Sequence, residues 1–417
     1  MKFNPEVVEY CRRQFPALSR RVGSRLAAFF DGPGGTQVPQ RVIDAVSHYL
    51  AHTNANHGGL FATSQESDRL LDAAHHGLAD FVGAGDSRTI AFGPNMTSLA
   101  MSLSRALARG WKPGDEIVVT RLDHDANVSP WVLAARDAGA TIRWAGIRPE
   151  DGTLDLDELR RLLCERTRLV AVGAASNATG GINPVRDIAD WAHAVGAKIV
   201  VDAVHFAPHG LIDVQAWGCD FLLASAYKFF GPHVGLMWGR RELLETLEAY
   251  KVRPAPLDLP GKWMTGTQSH EAIAGALAAV EYLADLGRLV TANESLSRRA
   301  ALREAYREIS LYERSLVKRL LAGLAEMPAV QVCGITDPAR FDERVATVSF
   351  THERFTPAEI ARRLGEQGMF VWHGNYYALN LTETLGFEPD GMLRVGLLHY
   401  NTLTEVERLL EALHGLR

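Results

Sequence analysis

Between about residues 64 and 290, short apolar runs alternate with helical stretches, and few architectures accommodate that alternation. The candidate strands are Glu116 to Thr120 (EIVVT), Thr141 to Trp144, Leu169 to Gly173, Lys198 to Asp202 (KIVVD), Asp220 to Ala224 and Gly235 to Trp238. Several are near-continuous apolar runs, as strands covered on both faces require. The intervening Asp155 to Cys164 and Val185 to Val195 carry helical periodicity. Together they predict an α/β fold, a mainly parallel sheet with helices on both faces.

The pattern changes near residue 290. A charged helical stretch, Glu294 to Glu326, leads to a strand at Val345 to Phe350, then to a helix whose cap and first turn are Thr356-Pro357. Two further β runs (Met369 to His373, Leu393 to Leu397) and a last helix from Thr402 complete a smaller α+β unit. The expected division is a large domain over 26–290, with 1–25 and 291–417 packing together as a small one. Hydrophobic residues make up 47% of the 417, enough to bury a large core without disulfides.

Composition also narrows function. A net charge of −5 gives no basic field for nucleic acid. No run approaches the ~18 apolar residues of a membrane span, and MKFNPEVVEYCRRQF lacks a signal-peptide core, so a cytoplasmic protein is expected. Cys11, Cys164, Cys219 and Cys333 form no CxxC pair, and no metal site is expected. There is no Walker motif, and Gly83-Ala84-Gly85 lacks the third glycine of a dinucleotide loop.

The chemistry concentrates in Ala224-Ser225-Ala226-Tyr227-Lys228-Phe229-Phe230-Gly231-Pro232. Lys228 follows the apolar run FLLAS, so it sits just past a strand end, where α/β folds gather ligands. A lysine desolvated among aromatics loses ammonium character and forms Schiff bases. The plain alternative is a surface lysine with its stem packed on rings. Asp202 ends the preceding strand; alone it reads as a helix cap. An imine-forming lysine and an acid for a pyridine nitrogen are the two devices that pyridoxal phosphate needs.

Ser225 to Pro232, with Asp202, Ser176-Asn177 and Gly266-Thr267, resembles the class V aminotransferase family of fold-type I pyridoxal-phosphate enzymes, cysteine desulfurases and desulfurase-like proteins above all. The resemblance runs from Phe29-Phe30-Asp31-Gly32-Pro33-Gly34-Gly35-Thr36 to Arg394-Val395-Gly396-Leu397-Leu398-His399-Tyr400-Asn401-Thr402. It implies a seven-stranded, mainly parallel large-domain sheet, a small α+β domain, an amino-acid substrate, and a homodimer with active sites at the subunit interface.

The resemblance also assigns roles. Lys228 carries the cofactor and moves the substrate Cα proton. Asp202 pairs with the pyridinium, His124 stacks on the ring and assists proton transfer, and Asn177 lies beside the ring. His205 replaces a glutamine near the phenolic oxygen. Asn95, Met96 and Thr97, at a helix start, hold the phosphate with Ser225 and with Tyr227, which stands in for a histidine. Thr267 completes that phosphate site from the other subunit. Arg394 grips the substrate carboxylate, for which a planar guanidinium is suited. Asn56, His57, Trp372 and His373 face the substrate.

One departure stands out. A desulfurase needs a thiol on a mobile loop, and the corresponding segment, Val371-Trp372-His373-Gly374-Asn375-Tyr376-Tyr377-Ala378, aligns Tyr377 with that cysteine. A phenol accepts no sulfane sulfur. The expectation is therefore C–S β-elimination on a cysteine S-conjugate or related sulfur amino acid. Desulfuration with atypical sulfur transfer, transamination, epimerisation, kynureninase-like cleavage and oxidative deamination stay open. So does a catalytically silent scaffold.

Overall fold

The computed structural model describes residues 3–416. Its apolar runs form a seven-stranded sheet of β1 (Ile90–Gly93), β2 (Glu116–Thr120), β3 (Thr141–Ala145), β4 (Thr167–Gly173), β5 (Lys198–Asp202), β6 (Phe221–Ser225) and β7 (Gly235–Gly239). Their order is β1-β7-β6-β5-β4-β2-β3. Only β7 runs antiparallel to its neighbours; the remaining pairings are parallel. Both faces are dry. In β2, Val118 joins one core while Ile117 and Val119 join the other, and in β5 Ile199 and Val201 oppose Val200 in the same way. Continuous apolar sequence is the consequence of that double burial.

Several details depart from the sequence expectations. Strand β6 runs from Phe221 to Ser225, one residue later than read. Asp220 is left outside the strand, its carboxylate accepting the Ile199 N–H at 2.8 Å and pairing with Arg240 at 3.0 Å. The edge strand β1 went unread because its four residues run straight into Pro94 and the helix α1 (Met96–Ala108). The charged stretch begins its helix only at Arg298. Helix α2 (His270–Thr291) ends at Ala292 with φ 50°, and Ser297 caps α3 (Arg298–Ala325).

A second, antiparallel sheet contains β8 (Val330–Cys333), β9 (Thr347–His352), β10 (Trp372–Gly374) and β11 (Met392–Gly396), ordered β8-β9-β11-β10. The run Met369 to His373, read as one strand, is two. Met369–Phe370 pairs in parallel with Ala28–Phe29, whereas Trp372–Gly374 pairs with β11. Thr356 and Thr402 each close a capping box, with Glu359 and Glu405, at the helices Pro357–Glu366 and Leu403–His414. Such a cap stabilises a helix by about 1 kcal/mol.

The two ends of the chain meet. Arg12 pairs with Glu405 at 3.0 Å, Phe3 stacks on Tyr312 at 4.9 Å, and Asp31 bridges to Gly396. Among the described residues, no helix is long and apolar enough to cross a membrane.

Candidate active site

Because β2, β4, β5 and β6 are parallel, their carboxyl ends open on one edge of the sheet. A cleft of about 640 Å³ lies there, lined among others by Asn95, His124, Asn177, Asp202, Ser225 and Lys228.

Lys228 ends a 3-10 turn, Ala226–Lys228, directly after β6. Phe229 and Phe230 behind it are fully buried, and Phe230 takes a left-handed φ of 69°, which fixes where the lysine emerges. Its Nζ donates to the carbonyls of Pro33 and of Gly34, the latter at 3.1 Å. Burial pushes its ammonium down to about 7; Arg394 adds to that, and Asp202 opposes it. The amine is therefore half free near neutrality. Acylation of cofactor-free protein should show this: labelling of Lys228 rises through about pH 7 and levels off, whereas surface lysines keep gaining reactivity toward their usual value near 10.4. A Lys228 profile that follows the surface lysines would contradict the lowered value.

Asp202 terminates β5 and accepts the Val204 N–H at 2.8 Å. Burial raises its carboxyl to about 6, against the pull of that N–H and of Lys228. A buried acid so poorly supplied with donors suits a protonated ring nitrogen. His124 accepts the Ala126 N–H on Nδ1 at 3.0 Å, so its remaining proton is on Nε2. Burial, then the Lys228 and Arg394 charges, lower it to about 4, and it is neutral. Beneath it Asp123 accepts from Gly173 and from Asn127, and burial raises its carboxyl to about 7. His205 sits 3.0 Å from the Thr347 hydroxyl of β9 and is held neutral, chiefly by burial.

At the α1 start, Asn95 Oδ1 accepts the Ser98 N–H at 2.8 Å and Ser225 Oγ accepts the Met96 N–H at 2.9 Å. The Thr97 amide is left for an anion, and the Ser225 hydroxyl keeps its proton to donate. A Cβ on Gly235 would lie 2.5 Å from the Asn95 carbonyl carbon, so only glycine admits this loop. Tyr227 lines the same wall with His233 stacked on it at 4.8 Å.

Arg394 projects from β11 and is 4% exposed. Its Nη1 donates to the Asn177 carbonyl at 2.8 Å, while its Nε and Asn177 Oδ1 have no partner among the described residues. These orphaned groups, the free helix amide and the strand-end lysine fit a phosphorylated pyridine with an amino-acid ligand. Trp372 lies directly across from Arg394 in register, is 51% exposed, and packs its indole against Gly34 at the rim. Tyr377, 71% exposed, stacks on His124 at 5.4 Å.

Four expected residues do not join this cleft. Asn56, His57 and Thr267 line a different one, with Gln268 and His270, and His373 pairs opposite Leu393, on the other face of β10 from Trp372 and Arg394. Sequence reasoning also passed over four residues that the fold brings to the site. Asp31, Asp123, Tyr376 and Thr347 each lie beside a named residue, and Asp123, adjacent to His124, and Tyr376, adjacent to Tyr377, carried a local signal.

A strand-end lysine with a depressed ammonium, a buried strand-end acid and an anion-ready helix start, on a mainly parallel sheet, define a fold-type I pyridoxal-phosphate enzyme. The Aminotransferase class-V family matches residues 28–409, and the chain belongs to that family. It is 32% identical to a cysteine desulfurase of Synechococcus elongatus over 98% of its own length, and it spans 64% of that relative. It is 33% identical to the aminotransferase-like protein FGM3 of Gibberella zeae, covering 97% of each chain. The apo structure of a cysteine desulfurase from Thermococcus onnurineus NA1 superposes with a TM-score of 0.84 at 26% identity, covering 98% of this chain and 97% of that one. The chain is thus a desulfurase-like pyridoxal-phosphate enzyme acting on an amino acid.

Proposed function

We propose that the enzyme is a C–S β-lyase for a cysteine S-conjugate or related sulfur amino acid. The observation that carries this reading is Tyr377, which covers His124 at the tip of the loop where the resemblance expects a sulfur-accepting thiol. The cysteines lie elsewhere. Cys11, Cys219 and Cys333 are buried, and burial pushes all three thiols up, Cys11 to about 12 and Cys333 to about 11. Cys164 lies 3.7 Å from Glu116, at the opposite end of β2 from the cleft. A thiolate is the nucleophile that desulfuration requires.

Bound pyridoxal phosphate supplies an electron sink for the pair left at the substrate Cα. Arg394 holds the substrate carboxylate. Lys228, about half free amine at neutral pH, takes the Cα proton and returns it to the departing sulfur, which leaves with the C–S electron pair. The released enamine hydrolyses with water to pyruvate and ammonia. Trp372 and Tyr377 at the rim suit a bulky sulfur substituent. Asn56, His57 and Thr267 serve the cleft of a second copy in this reading. The exposed Leu60, Phe61, Val252 and Leu257 on the same two segments support such an interface. The same reading divides the chain into a large unit, 26–290, and a small one, 1–25 with 291–417.

Cofactor-loaded protein incubated with S-substituted cysteines should release thiol and pyruvate in equal amounts. Alanine and sulfane sulfur from free L-cysteine would overturn the assignment. They would favour the second reading, desulfuration with an external thiol acceptor, to which the names of the relatives point. Racemised substrate or transfer to an amino acceptor would identify an epimerase or a transaminase.

A further inference from the structure

The loop after β10 carries two consecutive tyrosines in the left-handed region, Tyr376 at φ 56° and Tyr377 at φ 60°. Non-glycine residues hold that conformation only where their surroundings impose it. Here both sides of the loop are tied. The Tyr376 carbonyl accepts Asn177 Nδ2 at 2.9 Å, and the Tyr377 carbonyl accepts the Asp125 N–H at 2.7 Å. The Tyr376 hydroxyl donates to the Met392 carbonyl, and the Tyr377 N–H to Asn375 Oδ1 at 3.1 Å.

The rings then point to opposite halves of the site. Tyr377 lies parallel to His124 within 17°. Tyr376, 9% exposed, presents its face to the Arg394 guanidinium, whose carbon is 4.0 Å from the ring centre. Arg394 forms no salt bridge among the described residues, and Asp31, the carboxylate whose charge bears on it, acts only through space. A protein carboxylate in contact with this arginine would compete with the substrate for it. A ring face attracts the cation through its quadrupole and leaves the in-plane N–H groups, Nε among them, for a ligand.

We propose that Tyr376 is a positioning residue that holds Arg394 ready for the substrate carboxylate through the face of its ring, with Tyr377 clasping the same strained loop onto His124. The proposal rests on the amino-acid reading of Arg394 given above, and not on which bond the enzyme breaks.

Two probes separate its parts: S-benzyl-L-cysteine and 2-(benzylthio)ethylamine, which differ by the carboxylate alone. Binding is followed by the visible band of the cofactor-loaded protein, and calorimetry of cofactor-free protein gives the affinity for pyridoxal phosphate. Y376L should weaken the amino acid about tenfold and leave the amine and the cofactor within about twofold, as expected for loss of a desolvated cation–ring contact. Y376F, which keeps the ring and loses the Met392 bond, should bind the amino acid as the parent does. Pentafluorophenylalanine at 376, compared with Y376F, keeps the shape and withdraws charge from the ring face, so it should weaken the amino acid alone.

Equal weakening of both probes, unchanged binding of the amino acid in Y376L, or a parent enzyme indifferent to the carboxylate would each overturn the proposal. Should the expected pattern appear while no pyruvate forms from any conjugate, the elimination reading falls and the role of Tyr376 stands.

Discussion

Replacing Lys228 with alanine should lower turnover by ~10⁴-fold or more, because one side chain acts as both the imine-forming amine and the proton carrier. The fold should survive, since the amine's protein contacts are the carbonyls of Pro33 and Gly34 and the Tyr227 ring. The cofactor-free protein offers a second readout. The folded-state value of about 7 lies below the free value of 10.5, so the unfolded chain binds more protons between those limits. Stability of the parent therefore rises with pH through that window, and K228A lacks the rise. Denaturation curves at pH 7 and pH 10.5 should show the variant's relative stability greatest at the lower pH. Turnover above about 1% of the parent would require another base.

Asp202→Asn should cost ~10²- to 10⁴-fold in turnover, since an amide cannot keep a ring nitrogen protonated. Its effect on the cofactor-free protein should have the opposite sign. The buried carboxyl titrates near 6 rather than 3.8, so ionising it opposes folding, and stability falls as pH rises from 3.8 to about 6. The asparagine variant should then melt above the parent at pH 7 and converge with it near pH 4. A less active yet more stable protein separates the electronic role from damage to the fold. Activity within about tenfold of the parent would remove Asp202 from the ring.

Much of this was legible in the chain. Strands such as EIVVT and KIVVD announce double burial by composition alone, and a parallel sheet places whatever follows them at one edge, so Asp202 and Lys228 could be joined before any geometry was known. Strand β1 was not legible, because four residues ahead of a proline carry no periodicity. The split at Val371 was hidden for another reason. Two short runs share one apolar stretch yet pair with Ala28–Phe29 and with β11, and only long-range partners distinguish them. Thr347 and Asp31 join the site through such pairings and carry no local mark. The family likeness, by contrast, gave Asn56, His57 and Thr267 their roles, and a single chain leaves them away from Lys228.

The pairing of Ala28–Phe29 with Met369–Phe370, and of Asp31 with Gly396, also dictates an order of events during synthesis. The carbonyls of Pro33 and Gly34 that cover the lysine leave the ribosome long before Met369–Phe370 and Gly396, the partners of their segment. The central sheet closes on local βα units, while its catalytic wall waits for contacts spanning most of the chain, the kind whose loop-closure entropy makes them slow. A nascent chain halted before residue 369 holds all seven strands of the sheet but lacks the partners of Ala28–Phe29 and Asp31. The wall over the lysine is fully tied only after those partners emerge.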